Sequence, residues 1–429
     1  MMNTSLMPEL KPPAAMKRVL MIAYHFPPLA GSSGIQRTLR FVQHLPKFGW
    51  EPLVLSADPR AYERTSDDLL ADVPPATVVR RAFALDTARH LSIAGRYVGA
   101  MARPDRWVSW KYAAVRDGLR MIREYKPQAI WSTYPIATAH LIGAELQRRS
   151  GLPWIADFRD PMAQDGYPAD PLTWQSYRAI EEHTLRTARF STFTTPGAAR
   201  TYLARYPVDG GRVTVLENGY DEETFAAAAN GGGERRALHP GAITLLHSGI
   251  VYPDERDPTQ FFEALGQLKA SGAIGAGSLV VRFRASVHDE LLQSLAARYD
   301  VAEFIDCQPP VPYRQALAEM LDADGLLVMQ AANCNEQIPA KIYEYLRANR
   351  PILTLTDPQG DTATTLRAAG ATDIARLDSA ADIGRILPAF LAAIREGRAA
   401  LPHRQAVANA SREGRTAQLA GLLDMATGS

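Results

Sequence analysis

Short apolar runs and amphipathic stretches alternate along most of this chain. After a polar leader, RVLMIAYHF (residues 18–26) is an apolar run of the kind that makes a strand buried on both faces of a parallel sheet. PPLAGSSGIQ follows as a Gly/Ser loop, RTLRFVQHLPKFG as an amphipathic helix ended by Gly49, and WEPLVLSA as a second strand. The same strand–helix–strand order returns in QAIWSTYP, AHLIGAELQRRSG and PWIADFRD, and again in EEHTLRTARFSTFTT, GAARTYLARYP and RVTVLENG. These rounds predict one doubly wound domain over residues 1–225. The alternation breaks at AAAANGGGERRALHPG (226–241), whose Ala/Gly composition predicts a linker. It then restarts with AITLLHSG, PTQFFEALGQLKASG, LVVRFRAS, ELLQSLAARYD, AEFIDCQ, YRQALAEMLDAD, GLLVMQA and PILTLTD, a second parallel α/β domain over 242–405. Residues 406–429 end in a stretch that predicts a terminal amphipathic helix.

A chain of 429 residues exceeds one ordinary core, which agrees with two domains. With 46% hydrophobic and 22% charged residues it has a globular composition, and a net charge of +1 gives no case for nucleic-acid binding. Two cysteines, Cys307 and Cys334, cannot build a disulfide framework or a metal cluster and fit a reducing cytoplasm. The leader lacks an apolar h-region, and no run approaches the ~18–20 apolar residues of a membrane span. The expected location is cytoplasmic, with any membrane contact peripheral at the inner face.

The most informative segment is EQIPAKIYEYLRANRPILTL (336–355). Pro339 suits the first position of a helix, which puts Ile338 at the N-cap in place of the usual Ser, Thr, Asp or Asn. A helix start without a side-chain cap leaves N–H donors and the positive dipole end open to an anion. Glu336 precedes those donors and Glu344 follows them by about one and a half turns. Asn349 then tolerates a left-handed stop, and Pro351 opens a buried strand. The competing reading has Glu336 complementing the dipole and Glu344 on a solvated face.

This layout resembles the E-x7-E signature of retaining glycosyltransferases of the GT-B fold, family 4 in particular. The resemblance implies two doubly wound, Rossmann-like α/β domains facing an interdomain cleft, with Glu336 on donor-sugar hydroxyls and Glu344 on the ribose. The helix start at Ile338, Pro339, Ala340 and Lys341 then holds the diphosphate. LLHSGIVYPDERDPTQFFEAL (245–265) resembles the family segment G-R-L…K-G; Gly249 matches its glycine, Ile250 stands where the Arg is expected, and Arg256 is the substitute for the Lys. Lys341 can supply the missing charge. A guanidinium grips two phosphate oxygens at once, although Arg256 could instead pair with Asp254 or Asp257.

On the other half, Gly31, Ser32, Ser33 and Gly34 form a GSSG loop that can bring backbone close to an anion. It is neither a G-x-G-x-x-G fingerprint nor a Walker loop, and a plain β-to-α turn is the alternative. DFRDP puts Asp157, Arg159 and Asp160 at the carboxyl end of a strand, where open α/β sheets bind ligands. It resembles a subset of bacterial family-4-like enzymes and implies an acceptor-side lining, with Asp160 joining Glu336 and Arg256 as catalytic candidates. An Asp–Arg pair bracing the loop is the competing reading. Tyr134 in WSTYP and His140 are further acceptor-side candidates, the latter set against a packed or capping histidine. Asn218, Gly219 and Asp221 read as turn and cap formers.

Residues 80–126 hold eleven Lys/Arg against four Asp/Glu, interleaved with Tyr97, Trp107, Trp110 and Tyr112. A solvated helical region competes here with a surface for anionic lipid or a lipid-diphosphate acceptor. The resemblance implies sugar transfer from a nucleotide-diphosphate sugar to a glycan or lipid-linked acceptor hydroxyl, in bacterial surface polysaccharide or glycolipid assembly. No cofactor or metal is expected, since no D-x-D pair is placed to bridge phosphates, and no nucleic-acid partner. A nucleotide-sugar 2-epimerase of the same fold and a non-catalytic nucleotide-sugar-binding subunit are the alternatives.

Overall fold

The computed structural model describes residues 16–32, 34–92, 94, 96–229 and 235–428. Among the described residues thirteen strands fall into two sheets. The first contains β1 (Lys17–Ile22), β2 (Trp50–Ala57), β3 (Val78–Ala82), β4 (Ala129–Thr133), β5 (Trp154–Arg159), β6 (Phe190–Phe193) and β7 (Val213–Val215), in the order β3-β2-β1-β4-β5-β6-β7. The second contains β8 (Ile243–Ser248), β9 (Leu279–Arg284), β10 (Ile305–Gln308), β11 (Gly325–Met329), β12 (Ile352–Leu355) and β13 (Ile374–Ala375), in the order β10-β9-β8-β11-β12-β13. Pairing is parallel: Leu20 is level with both Leu53 and Ile130, and Leu326 with Ile352. Central strands such as VLMI and LLVM are buried throughout, as continuous apolar runs in a parallel sheet require. Each sheet reverses strand order once, at β1/β4 and at β8/β11. Those reversals open a crevice beyond the strands' carboxyl ends, the usual ligand position in such sheets.

The chain divides into two compact units, one of Met1–Asp157, Asp165–Phe190 and Ala420–Ser429, the other of Phe158–Gln164 and Ser191–Leu419. Residues 191–225, expected with the first half, group with the second. The reason is local: the helix Pro196–Arg205 meets Glu336 and Asp361, and Tyr220 N–H bonds to Ala410 O. Residues 226–229 of the expected linker are the last turn of the helix Glu222–Ala229, which Asp221 caps through Thr224 N–H at 3.1 Å and which buries Phe225 and Ala228. Residues 230–234 of that stretch lie outside the described residues. The expected terminal helix is two, Arg404–Asn409 and Arg412–Thr427. Arg412 and Arg415 donate to the carbonyls of Gly219 and Asn218, so the NG turn is pinned from the chain's end. Further along, Asp424 accepts from Lys17 at 2.7 Å and from the Trp50 indole at 3.1 Å.

Candidate functional site

The helix of the E-x7-E segment starts later than its proline suggests. It runs Lys341–Ala348 with Ala340 as N-cap, and Ala340 makes no side-chain capping bond. Ile342 N–H reaches Pro339 O and Tyr343 N–H reaches Ala340 O, both i→i−3 bonds, so Pro339 and Ala340 form a tight lead-in turn. Ile338 is therefore not the cap; its side chain is buried in the core with Ile342 and Leu346. Glu344 consequently sits in the first turn, nearer the dipole end than expected. Asn349 ends the helix in the left-handed conformation (φ 54°), as its residue type favours.

The β8/β11 reversal brings Gly249, Arg256, Lys341 and Glu344 together. Gly249 has φ 111°, and a Cβ there would stand 3.3 Å from Lys341 Nζ, so the backbone approaches this amine as only glycine can. Arg256 curls back under its own loop: its Nη1 donates to Ile250 O, and its guanidinium lies over the Tyr252 ring at 5.0 Å. From there its charge reaches Lys341 and His247. Burial, then Arg256, holds the Lys341 pKa well below that of an ordinary lysine, with Glu344 opposing. Burial also raises the Glu344 carboxyl, while Tyr313 Oη donates to it at 2.6 Å. A guanidinium, a lysine amine and an oriented carboxyl group thus converge on an uncapped helix start.

Glu336 is exposed on the β11-to-helix loop. Its Oε2 accepts from Thr201 Oγ1 at 2.7 Å and its carbonyl from Thr195 Oγ1 at 2.7 Å. The helix Pro196–Arg205 passes so close that a Cβ on Gly197 would lie 2.6 Å from Glu336 Cα. The loop is held from inside by Gln330, which donates to Cys334 O (2.7 Å) and Gln337 O (3.0 Å) and accepts from Thr362 Oγ1. Sequence reasoning missed Gln330, His247, Tyr313 and Thr201. Only Gln330, a polar residue closing an apolar strand, left any mark in the sequence. A separate open cavity of about 730 Å³ is lined by Asp254, Asp257, Gln330, Asp357, Arg376 and Asp378 among others. Four carboxylates against one arginine make it a poor receptor for a diphosphate, and neither Lys341 nor Glu344 lines it.

The residues expected on the acceptor side separate into distinct environments. Asp157 is fully buried and takes a two-pronged grip from Arg37, at 2.9 Å from Nε and 2.8 Å from Nη2, plus 2.8 Å from Thr133 Oγ1. The bracing arginine is therefore Arg37, on the helix Gly34–His44, and Asp157 has no open face for a ligand. Arg159 is in the left-handed region (φ 64°), and its carbonyl accepts Thr194 N–H at 2.8 Å and Thr194 Oγ1 at 2.9 Å. Asp160 Oδ1 lies 3.1 Å from the same hydroxyl. Tyr134 is buried edge-on to Tyr177. His140 is fully buried, its Nδ1 2.8 Å from Ser132 Oγ, and burial pushes its pKa down to about 4; it is a packed histidine. Gly31 is exposed with φ 80° and open space around its Cα, and Ser32 Oγ accepts Gly34 N–H at 3.2 Å beside His25 Nδ1 at 3.1 Å. Ser33 lies outside the described residues.

In the basic stretch, Trp110 is core and Trp107 packs 4.8 Å from the Tyr24 ring, while Tyr97 and Tyr112 are exposed. Among the described residues no helix is long and apolar enough to cross a membrane, and no group of three or more His, Cys, Asp or Glu could hold a metal ion.

Residues 33–219 match the model of the glycosyl transferase 4-like domain. No curated protein matches the sequence. Similar solved structures include a glycosyltransferase from Rickettsia africae (12% identity, 96% of this chain and 98% of that one, TM-score 0.63). HepE from Anabaena in complex with UDP is another (11%, 96% and 98%, 0.59). A Listeria monocytogenes protein described as a UDP-N-acetylglucosamine 2-epimerase is a third (14%, 96% and 97%, 0.53). By its two doubly wound parallel sheets the chain has the GT-B fold of these structures, and within it residues 33–219 match the glycosyl transferase 4-like domain.

Proposed function

We propose that this protein transfers a sugar from a nucleoside-diphosphate sugar to an acceptor hydroxyl, with the donor bound at the β8/β11 reversal. The observation that carries this reading is the convergence of Gly249, Arg256, Lys341 and Glu344 on one uncapped helix start. As the glycosidic bond breaks, negative charge grows on the departing diphosphate. Lys341, Arg256 and the helix dipole stabilise that charge without a metal. Glu344, aimed by the Tyr313 hydroxyl, accepts from ribose hydroxyls, and Glu336 orients the sugar. Ser32, Gly31 and Asp160 are the acceptor-side residues that remain open to this role. The anomeric configuration is retained, and the acceptor is a glycan or lipid-linked glycan of surface polysaccharide or glycolipid assembly. Exposed Leu91, Tyr97, Val98, Met101 and Tyr112, set among arginines, support a peripheral membrane contact for a lipid-linked acceptor.

The 2-epimerase reading draws on the Listeria likeness. The two separate by stoichiometry: a transferase releases nucleoside diphosphate only as acceptor is consumed, whereas an epimerase converts the donor with no acceptor. The test incubates the protein with UDP-, GDP- and dTDP-sugars, with and without lipid-linked and free glycan acceptors, and follows nucleotide release and anomeric signals by NMR. Acceptor-dependent release with retained configuration is expected. Donor isomerisation without acceptor would replace this reading by the epimerase.

A further inference from the structure

Beside the diphosphate position lies a buried base that the proposed transfer does not by itself require. His247, near the end of β8, is completely buried, with Nδ1 3.0 Å from the Leu327 carbonyl on β11. A carbonyl can only accept, so Nδ1 carries the hydrogen and Nε2 presents its lone pair. Nε2 is 3.0 Å from Lys341 Nζ. The neighbouring Tyr345 hydroxyl accepts Ser248 N–H at 2.8 Å, which holds the end of β8 against the same helix.

We propose that His247 and Lys341 form a proton-accepting pair, so that a nucleoside diphosphate enters this site together with one proton from solvent. This rests on the nucleotide-sugar reading of the same site. The charged and polar groups facing the pair are few. Arg256, from the loop after β8, opposes a second cation, and Glu344, on the helix of Lys341, favours one. The Leu327 and Ile250 carbonyls face the imidazole. Burial dominates for both members, and each also faces a neighbouring cation, so both titrate well below their ordinary ranges in the empty site. With no anion present, the protein avoids holding Arg256, an ammonium and an imidazolium side by side. An opposite charge within ~4–6 Å typically shifts a pKa by about one to three, so the incoming diphosphate reverses the balance. The lysine amine then takes a proton to become ammonium and donates to phosphate oxygen, while the His247 lone pair fixes its direction. When the diphosphate leaves, the proton leaves with it. His247 is thus a positioning residue acting through Lys341.

The linkage has a definite sign. Affinity is greatest below the pKa of the empty pair and falls about tenfold per pH unit as pH rises toward the pKa of the occupied pair. The test is calorimetry of the full chain with UDP, GDP and dTDP at pH 8, where the terminal phosphate (pKa about 6) is already ionised, in buffers of contrasting ionisation enthalpy. Uptake of up to one proton per nucleotide bound is expected. Lys341→Met should bind at least tenfold more weakly with no uptake. His247→Phe should lose uptake, and His247→Gln, which keeps one donor and one acceptor, should recover it. Wild-type binding with a heat independent of buffer would overturn the pair while leaving the donor site intact. No binding of any of the three nucleotides would remove both the pair and the donor site.

Discussion

Replacing Arg37 by methionine would strip both guanidinium hydrogen bonds from a carboxylate that has no exposed surface. Arg37 and Asp157 are both buried, and methionine fills most of the arginine stem's volume, so the loss is electrostatic rather than a cavity. Removing one partner of such a pair costs about 3–5 kcal/mol, because the remaining charge is left without compensation. Thr133 Oγ1 still donates to Asp157 at 2.8 Å, which places the expectation near the lower end, about 3 kcal/mol. Asp157→Asn should cost less, since its amide oxygen can still accept. The double variant should fall short of the sum by about 2 kcal/mol. The assay is urea unfolding followed by tryptophan fluorescence. All six tryptophans lie between Trp50 and Trp174, so the signal reports on the unit that contains this pair. A cost below about 1 kcal/mol for Arg37→Met, or no coupling in the cycle, would refute the brace and return Asp157 to the ligand-facing candidates.

Gly249→Ala puts a side chain at φ 111° and 3.3 Å from Lys341 Nζ; it should lower stability by about 1–3 kcal/mol and weaken nucleotide binding at least tenfold, both read in one melting series with UDP. Glu344→Gln should raise the melting temperature at pH 7 slightly, because burial raises this carboxyl's pKa and its charged form opposes folding as pH climbs, yet it should abolish nucleotide-dependent stabilisation. His140, held neutral with a pKa of about 4 against 6.5 when exposed, contributes stability that is present above pH 6.5 and lost as pH falls toward 4, about 3 kcal/mol in all. A His140→Gln chain should show a flatter fluorescence melting profile over that window. Gln330→Ala should leave the fold intact, speed amide exchange at residues 331–337 and raise the KM for nucleotide sugar.

Most of the architecture was legible in short patterns. WEPLVLSA is β2 residue for residue, and the apolar centres of β1, β4, β5, β8, β11 and β12 stood out as buried strands do. β3 (VVRRA) and the two-residue β13 did not. One is a half-buried edge strand with two arginines, and the other is too short to carry a period. Ala226–Ala229 looked like linker because alanine and glycine adjoin there, yet alanine's helix propensity and Phe225 anchor a helix. At the site, Glu344 and Lys341 were readable because a helix start and two charges lie close in sequence. The partners that set their chemistry come from elsewhere: His247 is 94 residues from Lys341, and Tyr313 is 31 from Glu344. Nothing local marks such pairs. The partner of Asp157 in DFRDP is equally remote, since the arginine that holds it is 120 residues away.

The central claim is that the β8/β11 reversal binds a nucleoside-diphosphate sugar. Its most direct test is the melting temperature of the full chain against a panel of UDP-, GDP-, dTDP- and ADP-sugars, repeated with Glu344→Ala. At about 100 times its dissociation constant, the right donor should stabilise the protein by about 2.7 kcal/mol, and that gain should vanish in the variant. A panel in which no nucleotide sugar moves the transition, or one that moves it equally in Glu344→Ala, would contradict the account.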